Sequence, residues 1–600
     1  MSDTDRDLLN DRQRQAVEAT EGPLLIIAGA GSGKTRVITY RVARLLSKGV
    51  PQSQILAVTF TNKAAREMAA RVKQLVPRKL ARLTVSTFHA FGAQVLRERI
   101  EVLGYRPRFS IYDAQDQATL VRETASELGM KGEGFDLQGT VQTLSSIKTG
   151  RTPWSDKNRA IRPLYRQYQK NLRLYNAVDF DDLIMLPIEL LSKHDAVRSE
   201  YQDRYRYLLV DEFQDTSTAQ YELMRLLVGP QNNVCVVGDD DQSIYSWRGA
   251  SYENLKRFER DFPGVREIKL EQNYRSTGTI LRAANGLITH NSNRKPKELW
   301  TGLPEGERIE VTSHESEMEE AEHVVSRIRT LMIRESLQYQ DFGVLIRANH
   351  LSRALEEVFR RENLPYVISG GMSFFERQEV RDMLAYLKLL ANPDDETSLL
   401  RIVNTPKRGI GRKLIERVAE RAEAERCSMF SALSWLAEQP AASAAEEKSH
   451  TALKEFLDLV GTYRGRFLEG RQMSQALKEL VEEIDYWGHL LVENRDAKDK
   501  DVVKWKFGNV ESLIGSLADY EEDPDNLDRG LFDYLARVSL ASRDDLDSKE
   551  TGGRINLMTI HSAKGLEFPV VFVAGVEQGI LPHARSMEEA EENVEEERRL

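Results

Sequence analysis

Six hundred residues, 41% apolar and 30% charged, suffice for about four domains with separate cores and no disulfide or metal staples. That balance excludes wholesale disorder, and two cysteines, Cys235 and Cys427, exclude a disulfide framework or a zinc site built from CxxC pairs. Lys and Arg total 84 against 94 acids, a net charge of −10, so bulk charge cannot hold a nucleic acid; a local groove of aromatics and arginines would be needed.

The chain starts MSDTDRDLLN, acidic and polar where a signal peptide needs a basic, then apolar, stretch. The apolar runs at 24–30 and 569–576 fall far short of the ~18 residues that cross a bilayer. A soluble, cytoplasmic protein with no membrane partner is expected. LLIIA (Leu24–Ala28) and ILAVTF (55–60) read as buried parallel strands, each followed by a helical pattern. From residue 90 to about 193 the periodicity turns helical. Strand signals return at RYLLV (206–210) and VCVVG (Val234–Gly238). The same sequence of events recurs. IEVTS (309–313) and FGVLI (Phe342–Ile346) read as strands. A helical stretch at 376–548 follows, interrupted by turn signals at 392–395, 439–440 and 523–525. Strands resume at RINLMTI (554–560) and PVVFVAGV (569–576).

The economical fold class is α/β, with two doubly wound parallel-sheet domains that each carry a mainly helical insertion. The first domain takes 1–89 and 193–276, with 90–192 inserted. The second takes 277–375 and 549–600, with 376–548 inserted.

The LLIIA strand runs into Gly29-Ala30-Gly31-Ser32-Gly33-Lys34-Thr35, where a helical pattern begins. A strand, a glycine-rich loop and a helix start form a phosphate cradle: backbone N–H groups converge on phosphate oxygens beside the helix's positive end. Lys34 would reach the β- and γ-phosphates, and the Thr35 hydroxyl would coordinate Mg²⁺. Ala28 stands where the simple pattern has its first glycine. RYLLV ends in Asp211-Glu212, placing Asp211 to hold the metal and Glu212 to act as general base toward the attacking water. Gln242 and Arg275 are expected to sense the γ-phosphate. Asp239-Asp240-Asp241 reads as a solvated turn rather than a metal site.

The strings AGAGSGKTR, ILAVTFTNKAAREM, VSTFHAFG, VDFDDLI, LLVDEFQDTS, VVGDDDQSIYSWRGA, LEQNYRST and MTIHSAKGLEFPVVFVAGVEQGILPH follow one another in that order. In order and spacing they closely resemble the UvrD/Rep/PcrA family of superfamily 1 DNA helicases. The wording of ISGGMSFFERQEVRDMLAYLKLLANPDDE and RIVNTPKRGIG is similar to the Rep group. The resemblance covers essentially the whole chain, and Ala28 is what the family has there. It implies two RecA-like motor domains, ATP and Mg²⁺ as cofactors, and 3′→5′ translocation on single-stranded DNA. It also implies 3′-tailed or forked duplex substrates, a role in replication restart or DNA repair beside replication or repair proteins, and a monomer or weak dimer. By resemblance Gln13 reads adenine, Arg36 and Tyr274 sandwich its ring, and Glu567 touches the nucleotide from the second motor.

The expected DNA track is Phe60, Phe88, His89, Tyr245, Trp247 and Arg248, with Arg347 and Asn349 in the second motor. Aromatic faces grip bases whatever the sequence. His561, with Thr559 beside it, resembles the family's DNA-contacting histidine. ATP between the motors would draw them together, and hydrolysis would let them part. EEERRL (595–600) resembles the opening of the family's last motif, whose downstream arginine finger touches the γ-phosphate; a chain ending there would hydrolyse ATP weakly and unwind little. The acidic run 588–597 reads as a solvated helix. A helicase–nuclease and an ATP-gated DNA-binding module without unwinding activity are the rival readings.

Overall fold

The computed structural model describes residues 9–76, 80–130, 135–369, 374–425, 427–440, 444–493, 500–523, 530–540, 553–589 and 591–600. The chain folds into two compact units. One comprises Met1–Phe88, Leu191–Ser373 and Ser542–Leu600, the other His89–Leu190 and Phe374–Ala541. No helix among the described residues is long and apolar enough to cross a membrane.

In chain order the strands are β1 (Leu24–Ala28), β2 (Ile55–Thr59), β3 (Thr84–Thr87), β4 (Ser110–Tyr112), β5 (Ala177–Asp179), β6 (Tyr207–Val210), β7 (Val234–Gly238) and β8 (Arg266–Leu270). Then come β9 (Gln272–Asn273), β10 (Trp300–Thr301), β11 (Phe342–Ile346), β12 (Tyr366–Ser369), β13 (Ile555–Thr559) and β14 (Val570–Val573). The first unit contains a six-stranded sheet, β3-β2-β6-β7-β1-β8, in which every pairing is parallel. β1, β2 and β7 are buried along their whole length, as parallel strands covered on both faces must be, which is why they read as unbroken apolar runs. The helix Lys34–Ser47 turns Val37, Ile38, Val42, Leu45 and Leu46 onto this sheet. Its apolar residues recur at helical spacing, and each buried Val, Ile or Leu contributes roughly 1.5–3 kcal/mol.

The same unit holds a second parallel sheet, β12-β13-β11-β14, and the short parallel pair β9–β10. IEVTS at 309–313 is not a strand: it has no ladder partner among the described residues, and Val311 is 91% exposed. Its alternation suits a pleated strand, but alternation creates a strand only where a neighbouring backbone supplies the hydrogen bonds.

Among its described residues, the second unit is helical apart from the parallel pair β4–β5. Helix Gln378–Ala391 is buried around nearly its whole circumference; its Arg381 and Lys388 both pair with Asp116 at 2.6 Å. The VDFDDLI string forms a buried ion cluster, with Lys148 at 2.7 Å from Asp179 and 2.8 Å from Asp182. The 392–395 turn is present, and Asp395 caps the next helix by accepting from the Ser398 N–H at 3.0 Å. The expected boundary at 548 and most of the 523–525 turn lie outside the described residues.

Candidate nucleotide site and nucleic-acid track

β1 leads into the loop Gly29–Gly33, and the helix begins at Lys34 with Gly33 in the N-cap position. Two glycines are needed for their shape. Gly31 (φ +64°) and Gly33 (φ +83°) both lie in the left-handed region. A Cβ on Gly31 would come within 2.6 Å of the Asn273 amide, and one on Gly33 within 2.9 Å of the Gln13 amide. Those amides clamp the loop from outside: Asn273 Nδ2 donates to the Ala30 carbonyl at 2.7 Å, and Gln13 Nε2 to the Ser32 carbonyl at 2.9 Å. Inside it, Ser32 Oγ donates to the Gly29 carbonyl at 2.7 Å. Ala28 is the fully buried last residue of β1. Thr35 is half-buried and Arg36 exposed on the first helical turn.

The carboxyl end of β6 meets this loop. Lys34 Nζ lies 3.7 Å from Glu212 Oε2 and donates to Gln242 Oε1 at 3.1 Å. Burial alone would lower the Lys34 pKa, but the carboxylates of Glu212, Asp239, Asp211 and Asp215 outweigh it and raise the value. Asp211 is pushed up to about 7, first by burial and then by the Glu212 charge, against the pull of Lys34. Glu212 goes the other way: burial raises it, but Lys34, Lys564 and the Gln214 hydrogen bond bring it below the ordinary value. Adjacent carboxyls pushed apart this way suit different roles, one awaiting a cation and one ionised as a base. Glu212 is held at φ +50°, a costly conformation for a side-chain-bearing residue.

One glutamine joins this acid to the end of β7, and a second joins Lys34 to it. Gln214, 1% exposed, donates to Glu212 Oε2 at 2.6 Å and accepts from the Asp239 N–H at 2.9 Å. Gln242 Nε2 donates to Asp239 Oδ2 at 2.6 Å. The expected solvated turn at Asp239-Asp240-Asp241 is instead buried. Lys297, its side chain 1% exposed, reaches all three carboxylates at 3.1, 2.5 and 2.7 Å, and Arg294 forks onto Asp241 at 2.9 and 2.7 Å. The carboxylates lie close enough together for a metal, but these cations already satisfy them.

On the other side of the loop, Tyr274 is 45% exposed and its hydroxyl donates to Gln272 Oε1 at 2.9 Å, while Asn10 Nδ2 donates to the Tyr274 hydroxyl at 2.7 Å. Gln13 is buried, with its amide oxygen accepting from the Asn10 N–H at 3.1 Å. Arg275 pairs with Glu567 at 2.6 Å, so a residue before β14 faces the first sheet's loop. Lys564 binds more deeply. Its Nζ donates to Asp215 Oδ2 at 2.5 Å and to the Gln242 carbonyl at 2.7 Å, and lies 5.0 Å over the Tyr245 ring.

Tyr245 begins an aromatic cluster. It stacks on Phe60 (5.2 Å, 19° between planes), lies 6.4 Å from Trp247 and 6.2 Å from His561, and donates through its hydroxyl to the His561 carbonyl at 3.1 Å. Arg248 lies 4.7 Å over Trp247, which is 59% exposed. Burial, then Arg347, lowers the His561 pKa to about 4, so its ring is neutral at pH 7. Thr559 bonds Ser562 and closes the turn that carries His561. Arg347 forks onto Glu597 at 3.2 and 2.6 Å, and Asn349 is exposed at the start of a short turn.

Two expected track residues are engaged in packing. Phe88 is 6% exposed, part of an interior rather than a platform. His89 belongs to the second unit and packs 5.6 Å from Phe180, with burial lowering its pKa to about 4. Sequence reasoning missed Lys564, Gln214, Asn273 and Lys297. Lys564 lies within HSAKG and Gln214 within DEFQD, both already marked strings; Lys297 carries no local signal.

Residues 9–263 match the UvrD/REP helicase N-terminal domain, and residues 268–600 the UvrD-like helicase C-terminal domain. The chain is 39% identical over 607 residues to the ATP-dependent DNA helicase PcrA of Staphylococcus epidermidis, covering 99% of this chain and 81% of that protein. Against the ATP-dependent DNA helicase PcrA of Staphylococcus aureus it is 40% identical over 604 residues, with the same coverage. With both family domains matched in order and this identity along almost its whole length, the chain belongs to the UvrD/Rep/PcrA helicase family.

Proposed function

We propose that this family member is an ATP-dependent DNA helicase that moves 3′→5′ along single-stranded DNA, on 3′-tailed or forked substrates, in replication restart or repair. The observation that carries this reading is the position of Gln242. Its side chain bonds Lys34 and Asp239, its carbonyl accepts from Lys564, and Lys564 stands over Tyr245 of the aromatic cluster. Gln242 thus touches the candidate phosphate site and the second motor, and reaches the candidate DNA track through Lys564.

In this reading the loop N–H groups and Lys34 hold the triphosphate, Glu212 takes the proton from the attacking water, and Gln242 and Arg275 register the γ-phosphate. Gln13, Arg36 and Tyr274 hold the adenine, and Glu567 approaches from the second motor. Thr35 and Asp211 fit a magnesium ion, because one offers a half-buried hydroxyl on the first helical turn and the other a buried carboxyl whose pKa is raised by burial and by the Glu212 charge, both of which a divalent cation would offset. Such an ion would polarise the phosphoryl group. Phe60, Tyr245, Trp247, Arg248, Arg347, Asn349, Thr559 and His561 form the track; Phe88 and His89 are left out of it. Each sheet serves as one motor and each helical stretch as its insertion. Two cysteines with no bridge between them support a cytoplasmic setting.

The test is strand displacement on 3′-tailed and 5′-tailed duplexes. The wild-type protein should separate only the 3′-tailed duplex, and only with ATP. Lys34→Ala should abolish that while single-strand binding persists. Unwinding by Lys34→Ala, or preference for the 5′ tail, would refute the reading.

A further inference from the structure

The acidic run at 588–597 was expected to be a solvated face. In the helix Glu591–Arg599, three successive carboxylates are instead committed to other elements. Glu595, 3% exposed, accepts from the Ser292 N–H at 2.6 Å, the Ser292 hydroxyl at 2.8 Å and the Asn293 N–H at 3.3 Å. Glu597, with a 6% exposed side chain, takes the Arg347 fork and also accepts from the His583 N–H and the Ser586 hydroxyl, both at 3.1 Å. Glu596 accepts from the Ser246 N–H at 3.1 Å and from the Ser246 hydroxyl.

Those last two partners flank the aromatic cluster. Ser246 lies between Tyr245 and Trp247, and Arg347 is close enough to His561 to depress its pKa, an effect that Glu597 opposes. A backbone N–H with its hydroxyl, and a guanidinium presenting two parallel donors, are groups that commonly bind phosphate oxygens along a nucleic-acid backbone. Here two consecutive carboxylates occupy them.

We propose that Glu596 and Glu597 fill two phosphate subsites of the single-strand track when DNA is absent, so that DNA binds by exchanging its phosphates for these carboxylates. The inference rests on Arg347 and the Tyr245–Trp247 loop lying on that track. A carboxylate that merely oriented Arg347 would give the opposite sign on neutralisation, because an oriented guanidinium binds phosphate better than a loose one.

The experiment is fluorescence anisotropy of a labelled oligo-dT with the full chain, at several salt concentrations. It compares the wild type with Glu597→Gln, Glu596→Gln and Arg347→Ala. Glutamine keeps the size and one acceptor oxygen, loses the charge and carries an NH2 donor in place of the second acceptor. Each Glu→Gln variant should bind on the order of 10- to 150-fold tighter, the range of one charge-assisted hydrogen bond no longer in competition. The logarithmic salt slope should steepen by up to roughly 0.7 per subsite. Arg347→Ala should bind more weakly. Weaker or unchanged binding by both Glu→Gln variants, with Arg347→Ala still weakened, would overturn the exchange and leave Arg347 on the track. Unchanged binding by Arg347→Ala would remove Arg347 from the track, and the proposal with it. Glu596 faces solvent-exposed Ser246, so Glu596→Gln decides the matter even if the Glu597 variant fails to fold.

Discussion

Replacing Lys564 by Met should separate ATP turnover from DNA binding, and the structure sets the size of the effect. Lys564 Nζ makes two short bonds, at 2.5 Å to Asp215 and 2.7 Å to the Gln242 carbonyl. Removing one partner of a buried ion pair costs roughly 3–5 kcal/mol when the other charge is stranded. Asp215 has a partial escape. Burial already raises its carboxyl to about 6 despite Lys564, so without the lysine it can take a proton at neutral pH. Protonating a group of pKa about 6 at pH 7 costs roughly 1.4 kcal/mol, which caps the penalty on that side. Adding the lost bond to Gln242, at about 1–1.5 kcal/mol, gives a total near 2–3 kcal/mol. If that energy holds the HSAKG turn against the first sheet during turnover, DNA-stimulated ATPase should fall on the order of 30- to 150-fold. Lys564→Arg should recover most of the loss. The assay is steady-state ATPase with and without single-stranded DNA, combined with Asp215→Asn in a double-mutant cycle. A coupling energy of at least about 1.5 kcal/mol is expected between the two sites. Turnover within threefold of wild type, or strict additivity with Asp215→Asn, would refute the reasoning.

Two further outcomes follow from the buried charges. Asp211, raised to about 7, must lose its proton to ligate a divalent cation. Binding of Mg-nucleotide should therefore release close to one proton at about pH 6 and almost none at about pH 8.5, and its affinity should fall toward tenfold per pH unit below 7. Calorimetry in buffers of different ionisation enthalpy reads this directly; no release at the lower pH, or release unchanged in Asp211→Asn, would contradict it. Lys297→Met should destabilise the first unit by about 3–5 kcal/mol, because it strands Asp239 and Asp240 and leaves Asp241 to Arg294 alone. Urea unfolding checks this, and a loss under about 1 kcal/mol would mean that Arg294 alone balances the three acids.

The parts legible in the sequence were those whose chemistry is local. A buried parallel strand, a glycine loop and a helix start within a dozen residues can be read directly, and so can Asp211-Glu212 at the end of an apolar run. What escaped depends on partners far along the chain. The Asp239-Asp240-Asp241 turn looks solvated until Lys297 and Arg294 are folded onto it. The acidic run near residue 595 looks solvated until Ser246, Ser292 and Arg347 supply its donors. Lys564 and Asp215 lie 349 residues apart. IEVTS failed for the complementary reason: its alternation was right, but no strand came to pair with it. Phe88 sits in a marked string, yet exposure depends on packing that spacing does not reveal.

If nucleotide at Lys34 is felt at the aromatic track, the route runs through Gln242 and Lys564. The most direct measurement is the affinity for single-stranded DNA with and without a non-hydrolysable ATP analogue, in wild type and in Gln242→Ala. The analogue should shift the wild-type affinity by roughly 5- to 150-fold, the usual range of coupling between two sites. In Gln242→Ala each ligand should still bind alone, but the shift should vanish. A shift of undiminished size in Gln242→Ala would mean that the two sites are not coupled through Gln242.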